Sequence, residues 1–152
     1  MKIIFLDIDG VMNSERYYRS VDRTVNNWCR FDPSAVDMIA KLVQDFSAKL
    51  VISSTWRFGA IKHLDNELTK SELKKHLHKE WKTPQVFPSH RGKEIKMWLD
   101  EHPDIKDFVI LDDDRDVLDE YKSRFVKTDY YDGLQAEHYY KAREILEVKT
   151  VE

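Results

Sequence analysis

The sequence predicts an α/β fold built on a mostly parallel sheet. Three observations carry this. Short apolar runs rich in β-branched residues alternate along the chain with segments of helical periodicity. The strongest of these runs, Ile3-Ile4-Phe5-Leu6, Leu50-Val51-Ile52 and Phe108-Val109-Ile110-Leu111, are apolar throughout rather than alternating, as strands buried on both faces are. Each of the three also stops abruptly in small polar or acidic residues.

The first run ends in Asp7-Ile8-Asp9-Gly10-Val11. A strand continued through Asp9 would place both carboxylates on one side, and Gly10 lets the chain turn sharply. Two like charges so close repel unless a cation lies between them or one carries a proton. Either arrangement serves chemistry: a divalent metal site, or an acid beside an ionised nucleophile. From Met12 to Phe31 the chain reads as a loop or short helical excursion rich in Arg, Tyr and Asn.

Asp32-Pro33 reads as an N-cap with proline at the first helical position. Val36, Ile39, Ala40, Val43 and Phe46 follow at helical spacing, ending near Ser47. The second strand, Lys49 to Ile52, gives way to Ser53-Ser54-Thr55-Trp56-Arg57. The polar stretch 58–88 is expected to be a mostly helical insertion, with Gln85-Val86-Phe87 as a weak strand candidate. A further helix is expected after Gly92, with Ile95, Trp98 and Leu99 on one face and His102-Pro103 as its stop. The third strand enters Asp112-Asp113-Asp114-Arg115-Asp116. A short helix carrying Val117, Leu118 and Tyr121 precedes a fourth strand, Phe125-Val126-Lys127, and the last helix spans about 135–148.

Composition narrows the function. The 152 residues are 41% hydrophobic and 35% charged, which describes a water-soluble globular chain read here as one domain, 1–152. No run approaches the roughly 20 apolar residues of a membrane span, and no signal-peptide pattern follows Lys2. The single cysteine, Cys29, allows no internal disulfide and points to a reducing, cytoplasmic setting. A net charge of −3 gives no global attraction for nucleic acid or membrane, so an anionic substrate must be drawn locally.

In an open parallel sheet the carboxyl ends of the strands share one edge, so the three polar clusters are expected to converge. Asp7, one acid of the third cluster and a backbone carbonyl suit Mg²⁺, which takes oxygen ligands and keeps several waters. Hydroxyls and amides at Ser53-Ser54-Thr55 suit phosphate oxygens. Arg91 or Lys93, at a helix start, would balance a transferring phosphoryl group. Arg57 offers a further guanidinium. Asp114 and Asp116 read as helix-start residues, and the histidines lack zinc-ligand spacing.

These residues resemble the haloacid dehalogenase (HAD) superfamily of phosphohydrolases. Phe5-Leu6-Asp7-Ile8-Asp9-Gly10-Val11 matches its first motif and Ile52-Ser53 resembles its second. Arg91 or Lys93 stands at its third, and Ile110-Leu111-Asp112-Asp113 is similar to its fourth. More narrowly, Val51-Ile52-Ser53-Ser54-Thr55-Trp56-Arg57, Arg91-Gly92-Lys93-Glu94-Ile95 and Phe125-Val126-Lys127-Thr128-Asp129 resemble the small HAD domain of bacterial and phage RNA-repair proteins. The resemblance implies a HAD-like Rossmannoid three-layer fold with a minimal cap or none. It also implies a Mg²⁺-dependent phosphatase with Asp7 as nucleophile and Asp9 as general acid and base. Ser53 and Ser54 then hold phosphate with Arg57 and Arg91, Lys93 is the catalytic cation by residue type, and the metal set is Asp7, Asp9, Asp112 and Asp113, with Asp113 favoured over Asp112.

Three functions compete on this basis: a phosphatase for an RNA or DNA end, the same chemistry on a small phosphate ester, and a phosphate-binding regulatory domain without turnover. The short gaps after the first and second motifs leave an open site, which suits a macromolecular end. Two surfaces are expected to choose the substrate. One is a flap, 12–31, mixing Arg16, Arg19 and Arg30 with Tyr17, Tyr18 and Trp28. The other is the basic run Lys70 to Lys82, read as a helical hairpin.

Overall fold

The computed structural model describes residues 1–148, a five-stranded, all-parallel sheet covered by helices on both faces. The first strand, β1 (Lys2–Leu6), lies at its centre. The chain then forms α1 (Glu15–Ser20) and α2 (Pro33–Phe46) before β2 (Lys49–Ile52). Two helices, α3 (Trp56–Gly59) and α4 (Ile61–Lys70), and a 3₁₀ turn over Leu73–His76 lead to β3 (Leu77–Lys82). After α5 (Arg91–Asp100) come β4 (Asp107–Asp112), a 3₁₀ turn over Asp119–Arg124, β5 (Phe125–Lys127) and α6 (Ala136–Glu147).

Strand order is β3-β2-β1-β4-β5, so the chain leaves β1 toward one edge and later crosses back to the other. That reversal opens a crevice beyond the carboxyl ends of β1 and β4, the place where parallel sheets bind ligands. Phe5 pairs with Val51 of β2 on one side and Ile110 of β4 on the other, which levels the three strand ends.

Alternation along β1 divides the core. Ile4 and Leu6 point into the larger cluster with Ile39, Leu42 and Val43 of α2 and Ala142 and Leu146 of α6. Ile3 and Phe5 point the other way, onto Ile95 and Trp98 of α5. Phe5 meets Trp98 edge-on at 5.4 Å. Helix α2 starts as its sequence dictates: Asp32 accepts from the Ser34 N–H, and Pro33 follows. Ser47 closes it in the left-handed region.

Three expectations fail here. The 58–88 stretch carries the helix α4, but it also contributes the edge strand β3 over Leu77–Lys82, so the run Lys70 to Lys82 is no helical hairpin. The weak candidate 85–87 forms no strand. Charged Lys79, Glu80 and Lys82 hide β3 from sequence inspection, yet charges suit an edge strand, whose outer side faces water. The expected helix at Val117–Tyr121 is a 3₁₀ turn that begins later, at Asp119.

Candidate active site

Beyond β1 the chain enters a turn in which Asp7 is buried, Asp9 is exposed, and Val11 and Met12 donate back to the Ile8 carbonyl. The Asp7 N–H donates to Leu111 O of β4, which holds the two strand ends together. Gly10 has φ +80, and an added Cβ would collide with the Asp113 carboxylate. Glycine is therefore required twice at this position, for the backbone and for the space.

Asp7, Asp112 and Asp113 bring carboxylate oxygens within 4.8 Å of one another. Burial pushes the Asp7 carboxyl well above the usual carboxylate range, and the Asp112 charge pushes it further. Asp113 is raised as well, first by burial, although a hydrogen bond with Asp7 opposes this. A crowded, desolvated set of hard oxygen donors is the donor chemistry that Mg²⁺ takes. The carboxylate of Asp9 is not part of this group. Its two oxygens accept instead from Asn13 Nδ2 at 3.0 Å and from the indole N–H of Trp56 at 3.0 Å.

Arg91 supplies the cation at the acids. Its Nη1 lies 2.6 Å from Asp112 Oδ2 and 3.2 Å from Asp7 Oδ2. Burial works against this charge, but Asp7 and Asp112 outweigh it and raise the guanidinium above its ordinary value. Lys93, two residues further along the same helix start, is exposed, and its backbone N–H donates to His90 Nδ1 in capping α5. The Arg91 N–H donates to Asp116 Oδ2 at 2.7 Å, so Asp116 serves the start of α5 rather than of the segment that follows it, where no α-helix forms. Gly92 lets α5 approach the loop after β4, since a Cβ there would meet the Leu118 backbone nitrogen at 2.9 Å.

Ser53 and Ser54 follow β2 and are buried beside the first turn, with Ser53 N–H donating to Leu6 O. The Ser53 hydroxyl is one of two buried side-chain atoms without a hydrogen-bond partner among the described residues; the other is Thr83 Oγ1. An orphaned buried hydroxyl at a strand end is a group in need of an acceptor. Ser54 Oγ accepts from the Trp56 N–H at 3.2 Å.

Arg57 corrects one expectation. Its guanidinium is buried and donates to the carbonyls of Ser53, Ser54, Thr83 and Pro84, and pairs with Glu94 at 3.1 Å. Every donor is therefore engaged in tying the ends of β2 and β3 to α5. Arg57 shapes the loop that carries the serines, and no donor remains to grip a phosphate. Its partner Glu94, also buried, accepts from the Val86 N–H.

Three site residues escaped the sequence reading. Asn13 holds both Asp9 and the Gly10 N–H, and its position three residues past Gly10 was the available signal. Trp56 reaches Asp9 across 47 residues of sequence. Thr128, buried after β5, donates to Gly10 O at 2.6 Å while its N–H donates to Asp112 O, so it joins the turn after β1 to the end of β4. The flap closes on itself: Arg23 and Arg30 lie over Trp28, and Tyr17 donates to Cys29 O. Arg16 pairs with Asp132 and Arg19 with Glu15.

A family model described as the HAD domain in Swiss Army Knife RNA repair proteins matches residues 3–139. The chain belongs to that family. The match takes in every residue of the site just described, from Asp7 to Thr128. No curated protein and no solved structure gives a significant match. In this HAD domain no helix among the described residues is long and apolar enough to cross a membrane.

Proposed function

We propose that this HAD domain is a Mg²⁺-dependent phosphomonoesterase that acts on the phosphorylated end of an RNA through an aspartyl-phosphate. The observation that carries the reading is the division of labour between two aspartates two residues apart. Asp7 sits in the buried acidic group with Asp112, Asp113 and Arg91, whereas Asp9 is exposed and held apart by Asn13 and Trp56. Family membership in RNA-repair HAD domains supports the substrate class.

Asp7, Asp112 and Asp113 are the residues that would hold the metal; the bound cation would neutralise the crowded carboxylates and the phosphate oxygens, keeping Asp7 ionised. An Asp7 oxygen attacks phosphorus, the bond from phosphorus to the leaving oxygen breaks, and Asp9 in its protonated form gives that oxygen its proton. Asp9, now a carboxylate, takes a proton from water as the water oxygen attacks the phosphoryl group. Inorganic phosphate leaves and Asp7 is regenerated. Arg91 balances charge on the transferring group, and the Ser53 hydroxyl, which lacks an internal partner, donates to a phosphoryl oxygen. Lys93 remains outside this set.

The test is a turnover comparison of 3′- and 5′-phosphorylated oligoribonucleotides, their DNA counterparts and mononucleotides, with acid quenching to trap phosphoenzyme. Phosphate release from an oligoribonucleotide end, with label trapped on wild type and absent from Asp7→Asn, is the expected result. Equal efficiency on mononucleotides, flat in salt, would leave a small-molecule phosphatase. Release with no acid-stable label at any time point would overturn the covalent route.

A further inference from the structure

Resting on the phosphatase reading above, we infer a nucleobase subsite beside Asp9. It is the cavity of about 250 Å³ lined by Thr55, Trp56, Phe58, Gly59, Ala60 and Gln85.

Asp9 stands where the leaving oxygen must be protonated, so whatever that oxygen belongs to lies against the groups around Asp9. Trp56 is one of them, at 3.0 Å through its indole nitrogen. The indole packs on Phe31, with centroids 6.2 Å apart, and Trp56 also lines the cavity. Phe58, a second aromatic residue of the lining, is 40% exposed. Its ring is held by cations, with the Arg57 guanidinium 4.4 Å and Lys82 Nζ 5.6 Å from its centroid.

The volume falls below the roughly 300–1,000 Å³ of sites for drug-sized ligands and leaves room for a single ring system. Two aromatic residues in the lining favour a flat π-face, which every base offers. The exposed Gln85 amide supplies one donor and one acceptor for a base edge. Exposed Lys82 lies beside Phe58 and can balance the next backbone phosphate. A sugar phosphate or glycerol phosphate offers no π-face to these residues. The subsite therefore selects a terminal nucleotide that carries its base.

Gly59 provides a clean probe, because a Cβ built there meets nothing within 4 Å. Gly59 lines the cavity, so Gly59→Leu adds bulk at its wall while leaving Asp9 and the acidic group in place. The experiment compares kcat/KM for a phosphorylated oligoribonucleotide with that for the same oligonucleotide abasic at the terminal residue. Wild type should favour the base-bearing end by about 5- to 150-fold, the range that base–aromatic stacking supplies. Gly59→Leu should bring the base-bearing substrate down to the abasic level and leave the abasic rate unchanged. Equal efficiency of both substrates in wild type, or a preference that survives Gly59→Leu, would overturn the subsite. Should neither substrate turn over, the phosphatase reading fails, and binding of the two ends measured by quenching of Trp fluorescence still decides the subsite: equal affinities reject it. Loss of the quench in Trp56→Phe assigns the signal among the tryptophans.

Discussion

Arg91 and Asp112 form an ion pair at 2.6 Å, and the same guanidinium nitrogen reaches Asp7 at 3.2 Å. One cation thus bridges the ends of β1 and β4 from the first residue of α5. Arg91→Ala should lower phosphatase kcat by about 10²–10³-fold, as loss of a preorganised donor to a developing charge does. Lys93→Ala should change it far less. Steady-state kinetics on a generic aryl phosphate makes the comparison, and a larger loss at Lys93 would return the catalytic cation to the position the residue type suggests.

Metal affinity should follow the carboxylate group. Calorimetric titration with Mg²⁺ is expected to show binding in wild type, strong weakening in Asp113→Ala, and little change in Asp116→Ala, whose carboxylate serves the Arg91 N–H and His90. Added Mg²⁺ should also raise the thermal midpoint of wild type, since a ligand of the folded state stabilises it by mass action. An Asp116 variant that loses more affinity than the Asp113 variant would relocate the site along the acidic run.

Arg57 should behave as a structural residue. Burial lowers its guanidinium from the ordinary value, and the Glu94 charge opposes that shift. Glu94→Gln leaves a buried cation without its counter-charge and should cost about 3–5 kcal/mol of stability in denaturant titrations. Arg57→Lys should lower the unfolding midpoint too, because one ammonium cannot serve four carbonyls and Glu94. A variant that folds normally but shows only a raised KM would point back to phosphate binding.

Glycine substitutions should divide by space. Gly92→Ala drives a methyl into the Leu118 backbone and should destabilise by about 1–3 kcal/mol. Gly59→Ala meets open space and should be neutral or stabilising, by up to about 1 kcal/mol. Urea unfolding of the pair checks the contrast directly.

Stability should fall on mild acidification through the buried histidines. Burial lowers the pKa of His138, so the unfolded chain takes up its proton first, near pH 6.5, and stability drops as pH falls through that range. His138 Nδ1 accepts from the Gln135 N–H in the cap of α6, a bond that glutamine can also make. His138→Gln should therefore lose less stability than wild type between pH 7.5 and pH 5.5. Comparing the two proteins isolates His138, because Asp7, whose raised carboxyl works with the opposite sign, is common to both. Identical pH profiles would remove His138 from the account.

The sequence by itself determined the parallel α/β architecture, the strands β1, β2 and β4, and the convergence of their polar ends. These features rest on local chemistry: apolar runs long enough to be buried on both faces, Asp32-Pro33 as a helix start, and Gly10 at a turn. Family resemblance likewise singled out Asp7, Asp9, Ser53 and the acidic run from short contiguous motifs. Tertiary structure alone decided what each group touches. β3 was illegible because an edge strand needs an apolar inner face only in part, and its charges mimic a solvated helix. Arg57 and Arg91 look alike in sequence, yet packing places one among carbonyls and Glu94 and the other between Asp7 and Asp112. Trp56 and Asp9 meet, and Thr128 reaches Gly10 across 118 residues, only after the sheet brings distant strand ends together. A side chain's residue type limits the bonds it can make; the fold selects which of them it makes.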